Sequence, residues 1–281
     1  MDKRFEGLYF KQQTPRDGVV SVIAALHGEE ASVQVVTPQG TLCEKFAGGE
    51  EAAGGYRIGG GLFSPAGLAV DMPGCRGAVL FHGLTPPRYN IMGPFATLPF
   101  MECRHKVVSL RHKTSGSLTV DGREYDFTGG LGYIEGDSGR SFPRRYLWTQ
   151  CLFEEGSLML SVADIPMGRA VFTGVIGFVY TGGHEIRLAT YLGAKAQRSG
   201  TTVLVRQGEL TFWAEMLSAP DRTLLAPADG KMVRTIREAP VCAARYRLFR
   251  GGKPLLALET DKASFEYEYE PSFSPPKSVI Y

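Results

Sequence analysis

The sequence predicts an all-β protein, arranged as sandwiches or barrels in two successive halves, residues 1–140 and 141–281. Three observations carry that expectation. Short runs alternate apolar and polar residues with a period of two and are rich in β-branched and aromatic side chains. Glycine pairs and an Asp-Gly step sit between such runs, where hairpins must turn. No segment holds a helical apolar stripe longer than about two turns.

Taken in order, the alternation marks strands at Ser32 to Thr37, Ala78 to His82, Lys106 to Arg111, Ser117 to Val120, Ser157 to Ala163, Ala170 to Tyr180, Glu185 to Tyr191 and Thr201 to Arg206. Asp121-Gly122 joins S-L-T-V to R-E-Y-D-F and suits a type I′ turn, and Gly182-Gly183 and Gly251-Gly252 read as further hairpin tips. Thr41 to Ala53 is the best helical candidate, weakened by Gly48-Gly49. The glycine-rich stretch Gly48 to Gly61 lacks the strand, spacing and following helix of a dinucleotide site and reads as a mobile loop suited to a lid. The tail from Pro271 to Tyr281, with Pro275-Pro276, reads as an extended arm. The division near Arg140 rests on a loose echo, in which Gly7 to Leu26 is repeated as Tyr146 to Ile165: an aromatic strand, a short turn, then an apolar strand.

Composition narrows the function classes. The 281 residues are 43% apolar, enough for a sizeable core, and 31 basic against 29 acidic residues leave a net charge of +2. That balance argues against nucleic acid or an anionic membrane as the main partner. Five cysteines without a C-x-x-C spacing, an odd count, fit a reducing cytoplasm better than a disulfide framework. The start M-D-K-R-F-E-G has no apolar signal core, and nowhere do eighteen uncharged apolar residues run together. A cytoplasmic protein without an integral membrane segment is expected, with transient membrane-surface contact still open to it.

The most informative stretch is Tyr133 to Phe153, Y-I-E-G-D-S-G-R-S-F-P-R-R-Y-L-W-T-Q-C-L-F, which joins two carboxylates, basic side chains and a cluster of aromatics. With R-F-E-G-L-Y-F-K at Arg4 to Lys11 it resembles the tocopherol cyclase family, which carries F-E-G-W-Y-F-K near its start and Y-x-E-x-x-x-G-x-x-F-P-x-x-W-x-W-x-Q-C midway. Glu102 and His105 in F-M-E-C-R-H fall where that family has F-E-P-H, and Leu256 to Ser264 is similar to its terminal strands. The chain departs from the pattern at Leu8 and Tyr146, which replace tryptophans, and at E-G-D-S-G, which replaces E-K-N-W-G; its N-terminal half is shortened.

The resemblance implies tandem lipocalin-like halves. It also implies a redox-neutral reaction in which a side-chain alkene of a prenylated hydroquinone is protonated and the phenol oxygen closes a chromanol ring on the tertiary cation, with no metal and no redox cofactor. Lost tryptophans make the fold safer to carry over than the substrate. A non-catalytic, lipocalin-like carrier of a lipophilic or prenylated small molecule is the alternative.

Such a site needs an acid, an apolar pocket and polar groups that orient the ring. Glu135 matches the family's Y-x-E position and is the first candidate for the acid, because the aromatic neighbours Tyr133, Phe142, Tyr146 and Trp148 would keep its carboxyl neutral by desolvation. Asp137 stands two residues on, and His105 is the candidate donor to a quinol oxygen. In a strand, Glu102 would face away from His105 and pair with Arg104. Tyr9, Tyr146, Trp148 and Phe5 offer ring faces to a developing cation, each contact worth roughly 0.5 to 2 kcal/mol. Gln150 shares the face of Trp148 and could reach a ligand oxygen, and Arg145 of the same run is grouped with the substrate-binding residues. The bland readings stay open: Glu135 as a solvated carboxylate paired with Arg140 or Arg144, His105 as a structural histidine, the aromatics as core.

Two decoys are set aside. Gly136-Asp137-Ser138-Gly139 mimics a serine-protease motif, with His27 and Asp71 upstream, but Arg140 stands where a glycine normally follows. No second D-S/T-G exists to complete an aspartic dyad. No His or Cys pair has metal spacing, since His105 and His112 would lie on opposite faces of one strand.

Overall fold

The structure, a computed structural model, describes residues 4–16, 18–99, 101–167, 170–218 and 222–269. The tail from Pro271 to Tyr281 lies outside the described residues. The protein is nearly all β, in two large antiparallel sheets.

The first sheet opens with β1 (Phe5–Gln13), β2 (Val19–His27), β3 (Glu30–Thr37) and β4 (Gly40–Phe46). It continues with β5 (Gly49–Ala52), β6 (Gly55–Ile58), β7 (Gly61–Ser64), β8 (Gly67–Met72) and β9 (Cys75–His82). It ends with β10 (Cys103–Val120), β11 (Arg123–Asp126) and β12 (Gly130–Gly139). The second sheet opens with β13 (Arg145–Phe153), β14 (Gly156–Met167), β15 (Ala170–Thr181) and β16 (His184–Ala189). Then come β17 (Lys195–Ser199), β18 (Thr202–Gln207), β19 (Leu210–Met216), β20 (Arg222–Ala228), β21 (Lys231–Arg250) and β22 (Lys253–Tyr267).

Both sheets follow one plan. Three strands step outward from the first, the chain crosses to the far edge, and a meander returns until the last strand lies beside the first: β4-β3-β2-β1-β12-β10-β9-β8-β7-β6-β5 in one, β16-β15-β14-β13-β22-β21-β19-β18-β17 in the other. The chain passes from one sheet to the other between Gly139 and Arg145.

Strand alternation explains where the core sits. One face of each sheet packs on itself, around Phe10, Val22, Val33, Val79 and Phe127 in the first and Leu147, Val162, Phe212, Tyr246 and Phe265 in the second. The opposite faces meet in a third cluster containing Tyr9, Tyr133, Trp148, Leu152 and Phe178. Neighbouring residues of β1 and β13 therefore serve different cores: Phe10 and Leu147 fill the halves, while Tyr9 and Trp148 join them.

The expected hairpin at Asp121-Gly122 forms, with φ of 47° and 79° that suit a type I′ turn, and Gly182-Gly183 and Gly251-Gly252 repeat it. Glu185 to Tyr191 is strand up to Ala189 and then a single 3₁₀ turn. Two expectations are corrected. Thr41 to Ala53 is strand, in β4 and β5, and Gly48 to Gly61 is a pair of tight hairpins carrying β5, β6 and β7 instead of a loop. The glycines serve the turns there: Ala53 and Gly54 have φ of 53° and 75°.

Gly139 explains the end of the protease-like motif. Its φ is +149°, and a Cβ would lie 2.1 Å from the carbonyl oxygen of Glu102. The same carbonyl accepts the Arg140 amide at 2.8 Å, fixing the turn that leaves the first sheet. Gly139→Ala is expected to destabilise the protein by at least about 2 kcal/mol, read as a lower midpoint in denaturant at unchanged slope.

None of the five cysteines is in a disulfide. Among the described residues, no helix is long and apolar enough to cross a membrane.

Candidate functional site

A cavity of about 510 Å³ lies between the two halves, within the roughly 300–1,000 Å³ range of small-molecule sites. Because side chains fill the interior of each half, the cavity is between them and not inside one barrel. Leu8, Ile23, Phe95, Phe172, Ile176 and Leu224 give it a largely apolar wall.

The polar wall comes from cross-strand pairing. On β12, Tyr133, Glu135 and Asp137 share the face turned toward the second sheet. Asp137 sits opposite His105 of β10, and Glu135 opposite Tyr9 of β1. Asp137 Oδ1 lies 2.9 Å from His105 Nδ1 and accepts the Cys103 thiol at 3.4 Å. Glu135 Oε2 accepts the Tyr133 hydroxyl at 2.5 Å and the Trp148 indole N–H at 3.3 Å, and lies 3.3 Å from His105 Nε2. That last contact is an ion pair without hydrogen-bond alignment, and Nε2 is buried without a hydrogen-bond partner among the described residues.

Burial works against charge on His105, but the Asp137 and Glu135 carboxylates outweigh it and hold the ring well above the usual histidine range. A carboxylate at each ring nitrogen favours the imidazolium form of His105. Nitrogen-15 NMR at pH 8 is expected to show both of its ring nitrogens protonated, and Asp137→Asn to bring the titration down into the accessible range. A neutral ring at pH 7 would contradict this.

One donor atom each from His105, Glu135 and Asp137 lies within 4.8 Å of the others, a grouping that could hold a cation. Sequence spacing could not show it, because register across strands assembles it. Both ring nitrogens, however, face carboxylates, which is the arrangement of a protonated imidazole, and that form has no lone pair to offer a metal.

The structure places Glu135, Asp137, His105, Tyr9, Glu102, Phe142, Tyr146 and Trp148 around this cavity. Glu102 lies before β10 begins, so strand alternation does not turn it away from His105; Arg104, its expected partner, instead donates to the carbonyls of Ala96 and Leu98 at 3.2 Å each. Glu135 does not pair with Arg140, which reaches Asp229 at 3.3 Å. Its aromatic neighbours do more than exclude water, since Tyr133 and Trp148 are donors to its Oε2.

Three expected binding residues lie off the cavity wall. Tyr133 is fully buried behind Glu135. Arg145 points outward, 63% exposed, 3.6 Å from Asp164 and stacked 5.5 Å over Tyr269. Gln150 shares the Trp148 face as expected but is fully buried deeper between the halves, its amide atoms without a hydrogen-bond partner among the described residues. Phe5 is both core and wall, 5.6 Å from Phe142.

Three ionisable side chains were not expected from the sequence. Glu266, opposite Trp148 on β22, lines the cavity and accepts a short hydrogen bond from the Tyr146 hydroxyl. Burial pushes its carboxyl up to about 8, against the Tyr146 bond, with Glu135 and Asp137 adding to the rise. Glu238, opposite Glu266 on β21, is fully buried and is driven well above the carboxylate range, first by burial and then by Glu266. Lys11, also fully buried, is lowered to about 8 by burial, and its Nζ donates to the carbonyls of Lys262 at 3.0 Å and Gln150 at 3.4 Å. The sequence signal was there in part: Lys11 follows Tyr9 at period two, and F-E-Y-E-Y at Phe265 to Tyr269 alternates acids with aromatics.

No family model matches the chain, and no curated protein matches it at a significant level. Solved structures do. Kievitone hydratase from Nectria haematococca is similar over 94% of this chain and 88% of its own, with 12% identity and a TM-score of 0.58. CghA is similar over the same shares, 94% and 88%, with 11% identity and a TM-score of 0.59. A provisionally assigned AttH from Nitrosomonas europaea is similar over 95% of this chain and 93% of its own, with 13% identity and a TM-score of 0.50. At these identities the likeness is one of fold, and it runs through both halves of the chain.

Proposed function

We propose that this protein is an enzyme that adds an oxygen nucleophile across the alkene of a lipophilic, prenylated substrate, with closure of a prenylated hydroquinone to a chromanol as the reaction to test first. The observation that carries the reading is His105, with Asp137 2.9 Å from one ring nitrogen and Glu135 3.3 Å from the other, on the wall of a largely apolar cavity. A pocket built solely to carry a lipid needs no such buried charge, which is costly to desolvate. The motifs shared with tocopherol cyclases and the fold shared with a hydratase support the same chemistry.

In this reading the prenyl chain lies along the apolar wall and the ring hydroxyl lies against the Asp137–His105–Glu135 group. Tyr9 and Trp148, 5.4 Å apart edge to face, flank the reacting carbons and favour a tertiary cation. When the new C–O bond forms, the hydroxyl proton passes to the Asp137–His105–Glu135 group, and the reaction is redox-neutral.

Incubation with a prenylated hydroquinone tests it. The enzyme reading expects an isomer of unchanged mass with one free hydroxyl fewer, counted by acetylation. Quinol recovered unchanged alongside saturable binding would make the protein a carrier.

A further inference from the structure

We propose that the proton added to the alkene comes from Glu266, with Glu238 as the carboxyl behind it, so that acid and base in the cavity are supplied by different halves of the chain. This rests on the alkene-addition reading above.

The two halves place one glutamate each at corresponding points. Glu135 is on the last strand of the first sheet, opposite Tyr9 on its first strand. Glu266 is on the last strand of the second sheet, opposite Trp148 on its first strand. In the sequence echo of Gly7 to Leu26 by Tyr146 to Ile165, Tyr9 falls on Trp148. The site is therefore a pair of equivalent aromatic–glutamate units facing one another, each glutamate with a tyrosine hydroxyl on its Oε2: Tyr133 on Glu135, Tyr146 on Glu266.

Their surroundings then diverge. Glu135 has a second donor in Trp148 and a cation in His105. Glu266 has instead another carboxylate, since Glu238 is its partner across β21 and β22, fully buried, with neither oxygen hydrogen-bonded among the described residues. Two carboxyls directly opposite each other on neighbouring strands disfavour each other's ionisation. The groups facing them are Tyr146 on β13, Tyr9 and Lys11 on β1, Glu135 and Asp137 on β12, and Glu268 on β22, the last held at 3.0 Å by Arg234. Lys11, the cation among the groups facing Glu238, is itself lowered by burial and is turned to backbone carbonyls. Glu266, with a second carboxyl across from it, is placed to give up a proton, and Glu135, with two donors and His105 at its Oε2, is placed beside the group that takes one.

The step balances. The Glu266 O–H bond breaks, the alkene π pair forms a C–H bond, and the neighbouring tertiary carbon becomes cationic. An oxygen lone pair of the substrate forms the C–O bond, its O–H proton goes to the Asp137–His105–Glu135 group, and exchange with water restores both ends.

Infrared difference spectra between wild type and Glu266→Gln at pH 7 test the acid directly, with or without substrate. The expected loss is a protonated-carboxyl carbonyl band, absent from the Glu135→Gln difference; loss of carboxylate bands would overturn the proposal. With prenylated hydroquinone in deuterated water, Glu266→Gln is expected to lower labelled product by about 10²- to 10⁴-fold while the quinol still binds. Undiminished product from Glu266→Gln would overturn this inference and leave the function standing. No product from wild type would overturn both.

Discussion

Glu135→Gln is expected to lower turnover by about 10²- to 10⁴-fold while ligand affinity changes little. The substitution keeps the shape of the side chain and the Tyr133 and Trp148 contacts to its oxygen, so the apolar wall of the cavity survives. What it removes is one of the two negative charges that hold His105 as an imidazolium at the cavity wall. The comparison that isolates the effect is a split between turnover number and Michaelis constant. A fall in the turnover number at constant binding marks chemistry, whereas loss of both together would mark a collapsed wall.

Trp148→Ala is expected to cost about 3–5 kcal/mol of stability and most of the ligand affinity. Trp148 is 5% exposed, packs edge to face on Tyr9 at 5.4 Å and reaches Glu135 in the other sheet at 3.3 Å. Removing the ring therefore takes out packing between the halves and one donor to Glu135 together. Trp148→Phe separates the two: it keeps most of the apolar contact and loses the donor, so it should cost about 1–2 kcal/mol. Denaturant midpoints of the two variants test this, and equal costs would place the whole effect in the hydrogen bond.

Much of this fold is legible in the sequence because antiparallel strands with one buried face write a period of two, and because tight hairpins demand residues at positive φ, as at Asp121-Gly122. The segment from Gly48 to Gly61 escaped because its strands are four residues long and share their glycines with the turns, leaving too few side chains for any period to register. The motifs picked out Glu135, Asp137 and His105, which the structure brings together on one cavity wall. The motifs could not say that these would touch, because contact depends on the register of β10 against β12, set by pairing over long sequence distances. Glu102 shows the opposite failure, where alternation was applied to a residue just outside its strand. Glu238 and Glu266 were the least legible. Each looks like an ordinary strand acid, and only closure of the second sheet by β22 against β13 turns them inward and opposite each other.

The most direct measurement of the central claim is turnover of a prenylated hydroquinone in deuterated water, read by mass spectrometry. Protonation of the alkene at this cavity predicts a ring-closed product carrying one deuterium on the carbon next to the new C–O bond. A ring-closed product without deuterium, or quinol that binds and is recovered unchanged, would contradict it.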